Sequence, residues 1–554
     1  MAEGARDGGG GCHQESGRRR DAMGKRDFRV PREDRGFMAS PALNEFVKGL
    51  RRHPRIKGRC PRCSASWEEL RESAAEELRT AAEGFTRSLG FEGWPGDGRE
   101  VLMTGHQPEF FHPGVWIKNF VAHTLAEELG MIGINVIVDN DSVKHAAVRV
   151  PVVSGERASV ISATLCKADG RLAYEEVGPE SLEPAEFAEE LREAIESGAL
   201  EGISAETTQL LREQTGEADG LVEYVTKVRG RLERRLGFGN LEVPVSILSE
   251  TASFRQFASH IVSSPWEFAE CYNSALGRYR RENHVRSSRR PLPDLESARD
   301  WVEVPFWAWR KQSQRERLFV RRAGGRIGFS DPVGEQEEVR WEEGDCGEAA
   351  KALGALGDRG WKLRPRALSM TAFLRNFASA GFIHGIGGGK YDEVTDSFLR
   401  DFFGLEPAPY CVISATLLLP IARRGVSPAA VKEQERVLRD FRYNPQRRAD
   451  EKGKEECFRR LAEEKFAWIE SDPRPGDEAK RRFEKIRELN GKMLEKIRAD
   501  FRREKDRLER MREDMKFDKI ASDREYGFIL HPMGEVKEFF SEVLSRMRKG
   551  ATGR

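Results

Sequence analysis

Long hydrophobic runs are missing from these 554 residues. The longest apolar stretches, such as VPVSIL from Val243 and CVISATLLLP from Cys411, fall well short of the ~20 residues a membrane-spanning helix needs. The first forty residues are rich in Gly, Arg, Asp and Glu and hold no apolar segment of the kind a secretory leader carries. The expectation is a cytoplasmic protein with no membrane partner, in which residues 1–40 form a disordered extension. Cysteine is scarce as well: eight scattered residues are too few for a disulfide framework and fit a reducing compartment. Only Cys60 and Cys63, in GRCPRCSAS, stand close together, and the second pair that a zinc ribbon requires is lacking. They are expected to be a structural or incidental pair, and no metal is expected. Excess charge of one sign is also absent. The 93 Lys and Arg residues against 92 Asp and Glu give a formal charge of +1, so no overall field draws in nucleic acid, and none is expected as a partner.

What is present is patterned. From about Pro41 to Gly90 the sequence is helical and charged, with Trp67, Leu70 and Leu78 as anchors. Val101 to Met103 then reads as a short buried strand, His106 to His112 as a loop, and Pro113 to Leu129 as a helix with Ile117, Val121, Leu125 and Leu129 on one stripe and Gly130 as its stop. Ile134 to Val138 is a second β-branched run, ending in Asp139-Asn140-Asp141. A strand, loop, helix and strand in this order are the building block of a parallel sheet. Residues 180–236 read as helical, VPVSIL as another buried strand, PFWAWR from Pro305 and RLFVRR from Arg317 as strands, and the run from Arg364 as a loop entering a helix. The core is expected over residues 41–427. After Pro428 the composition turns to Lys, Arg and Glu with apolar residues at helical spacing, broken at SDPRPGD. Two arms of ~40 residues, each reaching ~60 Å at 1.5 Å per residue, predict an antiparallel helical hairpin over 428–520, kinked at Pro445. Residues 521–554 are expected to return to the core.

In a parallel sheet, ligands sit beyond the carboxyl ends of the strands, where helix N-termini offer free N–H groups and a positive dipole end to phosphate or carboxylate. The segment VLMTGHQPEFFHPGVWIKNF places His106 there, with His112 and Lys118 as further donors and Asp139 and Asp141 at the neighbouring strand end. A second segment, HGIGGGKYDEVTD from His384, is not a Walker loop: the required first glycine falls on His384, and Tyr391 follows Lys390 in place of Ser or Thr. Its glycines, Gly387 and Gly388 among them, still permit close approach of backbone to ligand, with His384, Lys390, Tyr391 and Asp392 alongside. These groups suit three functions. A ligase or transferase would use His106, Lys118 and Lys390 for phosphate and Asp139 or Asp141 as general base. A metal-dependent hydrolase would use His106, His112, Asp139, Asp141 and His384, though without a recognised ligand spacing. A binding or scaffolding protein would work through the hairpin.

Several stretches together resemble the cysteine-adding enzymes of bacillithiol biosynthesis (the BshC family). Thr104-Gly105-His106-Gln107 is similar to that family's TGQQ-type strand-end motif, with Asp139-Asn140-Asp141 as its acidic strand end. Arg364-Pro365, the glycine-rich turn from Gly385 to Asp392, and Ser414-Ala415-Thr416-Leu417 follow in the family's order, ahead of a charged coiled-coil hairpin. The resemblance spans about Val101 to the C-terminus, with His106 in place of the family's glutamine. It implies a Rossmann-like sheet of nucleotidyltransferase type, a ligand cleft that includes Thr104, Gly105, Gln107, Ser414 and Thr416, and a dimer formed through the coiled coil. It further implies that His106 holds the phosphates of ATP or ADP while an amino-acid-like donor is joined to a small, sugar-derived acceptor. HQPEFFHPG also resembles the opening of a family encoded in glycan-biosynthesis loci.

Overall fold

The computed structural model describes residues 28–551 except 55, 93–97, 99, 144–146, 169, 197–204, 214–217, 288–291, 332–335, 342–344 and 450–454. The protein is mixed α/β, built on a six-stranded and mostly parallel sheet. Its parallel strands are Val101–His106, Ile132–Ile137, Leu241–Pro244, Gly381–His384 and Tyr410–Thr416. Across the sheet they lie in the chain order third, second, first, fourth, fifth, each hydrogen-bonded in parallel to its neighbour. The strands are short, rich in β-branched residues and buried on both faces. Val101 and Met103 pack into one core, while Leu102 between them packs into the other. Cys411, Ile413 and Ala415 likewise alternate with Tyr410 and Val412. This double burial explains the continuous apolar runs; each buried Leu, Ile or Val contributes about 1.5–3 kcal/mol.

The Pro113–Leu129 helix and the C-terminal Met533–Ala551 helix cover one face; Trp67–Ser88, Ala252–Ser263 and Ile386–Phe398 cover the other. Strand order therefore reverses between Val101–His106 and Gly381–His384, whose following helices leave on opposite faces. A crevice opens at that point. Gly130 closes the first helix in the left-handed conformation, at φ 65°, where a side chain would strain the backbone.

Several expectations need correction. The N-terminal extension is shorter than residues 1–40: Gly36–Ser40 forms an antiparallel edge strand on Tyr410–Thr416, while residues 1–27 lie outside the described residues. Only Leu241–Pro244 is strand in the VPVSIL region, because Val245–Leu248 already turns as a helix. The glycine-rich segment is not a turn but the first turn of the Ile386–Phe398 helix.

A separate antiparallel sheet runs Gln336–Arg340, Arg326–Ser330, Glu316–Ala323, Trp301–Arg310, Trp361–Pro365, and Ala147–Ser154 pairs with Arg157–Thr164 as a hairpin. In the charged C-terminal region, Pro428–Tyr443 packs on Arg498–Ala521, and Glu456–Glu470 packs on Asp477–Lys496. The two arms are thus antiparallel. The first arm breaks at Pro445, which opens a short 3-10 turn. Phe441, Phe458, Met493 and Ile497 fill the seam around that break. Among the described residues, no helix is long and apolar enough to cross a membrane.

Candidate functional site

The crevice at the strand-order reversal holds a cavity of about 730 Å³. Of the residues singled out from sequence, Gly105, His106, Gln107, His112, Lys118, Asp141, His384, Gly387, Gly388, Tyr391 and Ser414 line it. The rest point elsewhere. Thr104 is buried and donates to the Ile383 carbonyl at 3.0 Å, tying the two central strands together. Thr416 donates to the Pro31 carbonyl beneath the N-terminal edge. Lys390 is exposed and does not line the cavity. Asp139, expected as a base, turns away from the cavity and accepts from the Ser246 N–H at 2.9 Å and from its hydroxyl. Burial, and then the Glu175 charge, push its carboxyl up to about 7. It holds structure rather than facing a ligand.

At the first strand end, the His106 ring packs edge-on against Phe111, with centroids 4.7 Å apart, and its Nδ1 lies 3.3 Å from the Gln107 carbonyl. A proton on Nδ1 to donate there leaves Nε2 as an acceptor. Burial, then Lys118, push this imidazole down to about 3, so it is neutral at neutral pH. Lys118 comes from the second turn of the following helix and donates to the Gly105 carbonyl at 2.7 Å; burial, then Arg229, push it down to about 7. His112 caps that same helix, accepting the Gly114 N–H on Nδ1 at 3.1 Å. This capping takes up one of the backbone donors that sequence reasoning had left for a ligand. The Arg524 guanidinium lies 3.4 Å from both His112 ring nitrogens, and its Nη1 has no hydrogen-bond partner among the described residues.

The opposite wall is the N-terminus of Ile386–Phe398. Its N-cap, Gly385, supplies no side-chain cap, so the first N–H groups of the helix remain available. A Cβ at Gly387 would meet nothing within 4 Å, whereas one at Gly388 would lie 2.7 Å from His384 Nδ1. The glycines thus set the floor of the cavity directly over His384. Behind it, His384 Nε2 lies 2.7 Å from Asp392, which also pairs with the fully buried Arg375. Burial pushes Asp392 up, but Arg375 and His384 hold it below its ordinary value.

The third wall carries the residues that sequence reasoning missed. Arg315 donates to Asp141 at 2.7 Å and to the Asn140 carbonyl at 2.9 Å, and Gln107 donates to the other Asp141 oxygen at 3.1 Å. Arg366 is buried against Glu303, and both guanidiniums flank the Trp307 ring. Asn140 donates to the Pro365 carbonyl at 2.7 Å, joining the antiparallel sheet to the parallel one. Arg364 of the Arg-Pro motif faces away, bidentate to Glu175. No local sequence signal marks Arg315, because its neighbours in space are 174 residues distant.

A second cavity of about 380 Å³ adjoins the first and shares His106, His112, Val115 and Glu525 with it. Its far side is formed by Pro108, Phe110, Arg149 and Leu165. The five histidines and acids of the hydrolase hypothesis do not form a ligand cluster; among the described residues, the one group with metal-ligand geometry lies elsewhere. The larger cavity bears Lys118, Arg315, Arg366 and Arg524 against Asp141 and Glu525. Such a lining favours an anion. No family model matches this chain, and no curated protein matches it. Its function therefore rests on what the site can do.

Proposed function

We propose that the protein is a ligase or transferase that binds a nucleotide such as ATP or ADP in the larger cavity and joins an amino-acid-like donor to a small acceptor, in the manner of the bacillithiol cysteine-adding enzymes. The observation that carries this reading is the convergence of an uncapped helix N-terminus, Arg524 and Lys118 on one cavity at the reversal of strand order. That position is where doubly wound, Rossmann-like sheets hold phosphates. The adjoining chamber supports a two-ligand reaction, since a group bound there meets the first ligand across the His106 and His112 wall.

The chemistry assigned to each residue follows from its surroundings. The Ile386–Phe398 N–H groups and Arg524 stabilise phosphate or a developing oxyanion. Lys118 is poised near neutrality and either takes a proton from an incoming nucleophile or, protonated, holds phosphate. The His106 Nε2 acceptor orients the nucleophile. Asp141 positions Arg315 and Gln107 and is not assigned as the base. A cysteine donor is what the resemblance implies, and the second chamber, about 380 Å³, has room for a small amine or thiol of that size. Equilibrium titration of ATP and ADP into the wild type and His106→Ala tests the reading: binding weakened by the substitution supports it, and no binding to either protein refutes it. Mass spectrometry of small molecules retained by the purified chain then identifies donor and acceptor.

The same reading includes a homodimer through the C-terminal helices as a coiled coil. Phe466, Ile469 and Phe483 lie exposed near the hairpin tip, apolar surface that an isologous second copy would cover. Light scattering of the full chain against one lacking residues 431–516 tests this: a full-length monomer, or a dimer that survives the deletion, refutes it.

A further inference from the structure

Cys60 and Cys63 are completed in space by two residues that the sequence leaves isolated. His260, on the Ala252–Ser263 helix, brings Nδ1 to 3.3 Å from Cys63 Sγ, and the ligand atoms of Cys60, Cys63 and His260 all lie within 4.8 Å of one another. Cys346 opens the Cys346–Asp358 helix, and its thiol stands beside both Cys60 and Cys63, a fourth donor next to the three that already have ligand geometry. We propose that Cys60, Cys63, Cys346 and His260 form a structural zinc site.

Three sulfurs and one imidazole nitrogen are the donor set of closed, tetrahedral zinc centres. With Zn–S near 2.3 Å and Zn–N near 2.0 Å, a tetrahedral S···N edge is about 3.5 Å, so the 3.3 Å separation needs only a small shift. The Cys-Pro-Arg-Cys loop has the required form. It folds back on itself through Ser64 N–H to the Cys60 carbonyl at 3.0 Å and Cys60 N–H to the Ala65 carbonyl at 2.8 Å. Ser64 takes the left-handed conformation, at φ 54°, which non-glycine residues adopt only where the surroundings demand it. Trp67 packs over the imidazole at 4.7 Å and shields the cluster from water. Cys63 is half-buried, leaving a path for the ion.

Binding gives up one proton from each thiol as its sulfur–metal bond forms. The imidazole ligates through Nδ1 as a neutral donor and keeps its proton on Nε2, which has no hydrogen-bond partner among the described residues. No electrons move. A Cys60–Cys63 disulfide would leave the approach of His260 and Cys346 without a purpose. The role is mechanical, since the four ligands join the segment before the Trp67–Ser88 helix to two helices that pack on each other from far along the chain.

The test uses the full chain, purified without chelator from zinc-supplemented cells. Elemental analysis is expected to return about one zinc per chain, falling at least tenfold in Cys346→Ala. Should that variant fail to fold, the wild type decides alone: metal is removed, cobalt(II) is added, and intense visible bands of tetrahedral thiolate-rich cobalt are expected. Wild type that retains no zinc after reconstitution, a pale octahedral cobalt spectrum, bound iron with sulfide, or a Cys60–Cys63 disulfide in peptide mass spectrometry would each overturn the assignment.

Discussion

Replacing Lys118 with methionine gives the most quantitative test of the cleft. Lys118 is 2% exposed, donates to the Gly105 carbonyl at 2.7 Å, and is pushed down to about 7 from its ordinary 10.5, chiefly by burial. Between those two values the unfolded chain holds a proton that the folded chain has released, so stability rises with pH across this window. Raising pH from 7 to 9 should then add about 2 kcal/mol to folding stability through this one group, from 1.36 kcal/mol for each pH unit of proton difference, reduced near pH 7 where the folded side chain is half protonated. Lys118→Met removes this increment while keeping the buried length of the side chain. Urea denaturation of both proteins at pH 7, 8 and 9, followed by a signal from the core tryptophans, reads the difference. The wild-type curve should climb more steeply by about 2 kcal/mol over the range; parallel curves would show that Lys118 titrates like an exposed lysine, and its assignment as a near-neutral group in the cleft would fall. Ligand binding has the opposite sign: a bound phosphate favours protonated Lys118, so ADP affinity should fall as pH rises above 7.

Neighbouring glycines offer a contrast within one helix turn. Gly387→Ala should be neutral or stabilising by up to about 1 kcal/mol, as alanine is the better helix former, yet weaken nucleotide binding, whereas Gly388→Ala should destabilise by pressing on His384; melting and ADP titration of the two separate these outcomes. Arg315→Met removes two charge-assisted bonds from the Asp141 turn and should cost about 1.5–3 kcal/mol, measurable by denaturation; a change within error would show that the Gln107 contact suffices. Acid should unfold the protein early. His106, His112 and His531 are each pushed down to about 3, chiefly by burial. The unfolded chain therefore takes up protons below its ordinary 6.5 that the folded chain refuses, and stability is lost as pH falls from 6.5. Asp139, pushed up to about 7, works against this by binding a proton in the folded state, leaving a net loss on the order of 3 kcal/mol between pH 6.5 and 5. A flat denaturation midpoint over that range would refute the buried, neutral state of these histidines.

Local pattern made part of this legible. The strand at Val101, the helix after it, its stop at Gly130 and, offset by one or two residues at its ends, the strand read at Ile134 to Val138 and found at Ile132–Ile137 were readable because their periodicity and caps lie close together in the chain. The choice between Asp139 and Asp141 was not readable. The two sit two residues apart at one strand end, and what separates their roles is Ser246 on one side and Arg315 on the other, both set by tertiary packing. The glycines after His384 suggested a turn because glycine weakens helices; they are tolerated in a first turn, where Gly389 lets the helix approach Val412 so closely that a Cβ would lie 2.1 Å from its methyl. Spacing rules saw Cys60 and Cys63 as an incomplete pair, since His260 and Cys346 each arrive alone on a different helix. The cationic wall of Arg315, Arg366 and Arg524 left no signal in a chain whose charges balance almost perfectly.

The short strand Gly36–Ser40 has a consequence for how this protein can be handled. Its partner, Tyr410–Thr416, is buried along all seven residues, and without the antiparallel cover its outer row of N–H and C=O groups would become an open template for pairing with another chain. Rich in β-branched and aromatic residues, uncharged and free of proline, the sequence YCVISAT has the composition that drives such pairing into insoluble cross-β aggregates. Thr416 donating to the Pro31 carbonyl and Leu418 N–H donating to Asp34 fasten that cover in place. Trimming the chain to a tidy start near residue 41 would therefore expose an aggregation-prone edge, and a loss of solubility on such trimming would reflect that unsealed margin rather than an unfolded core.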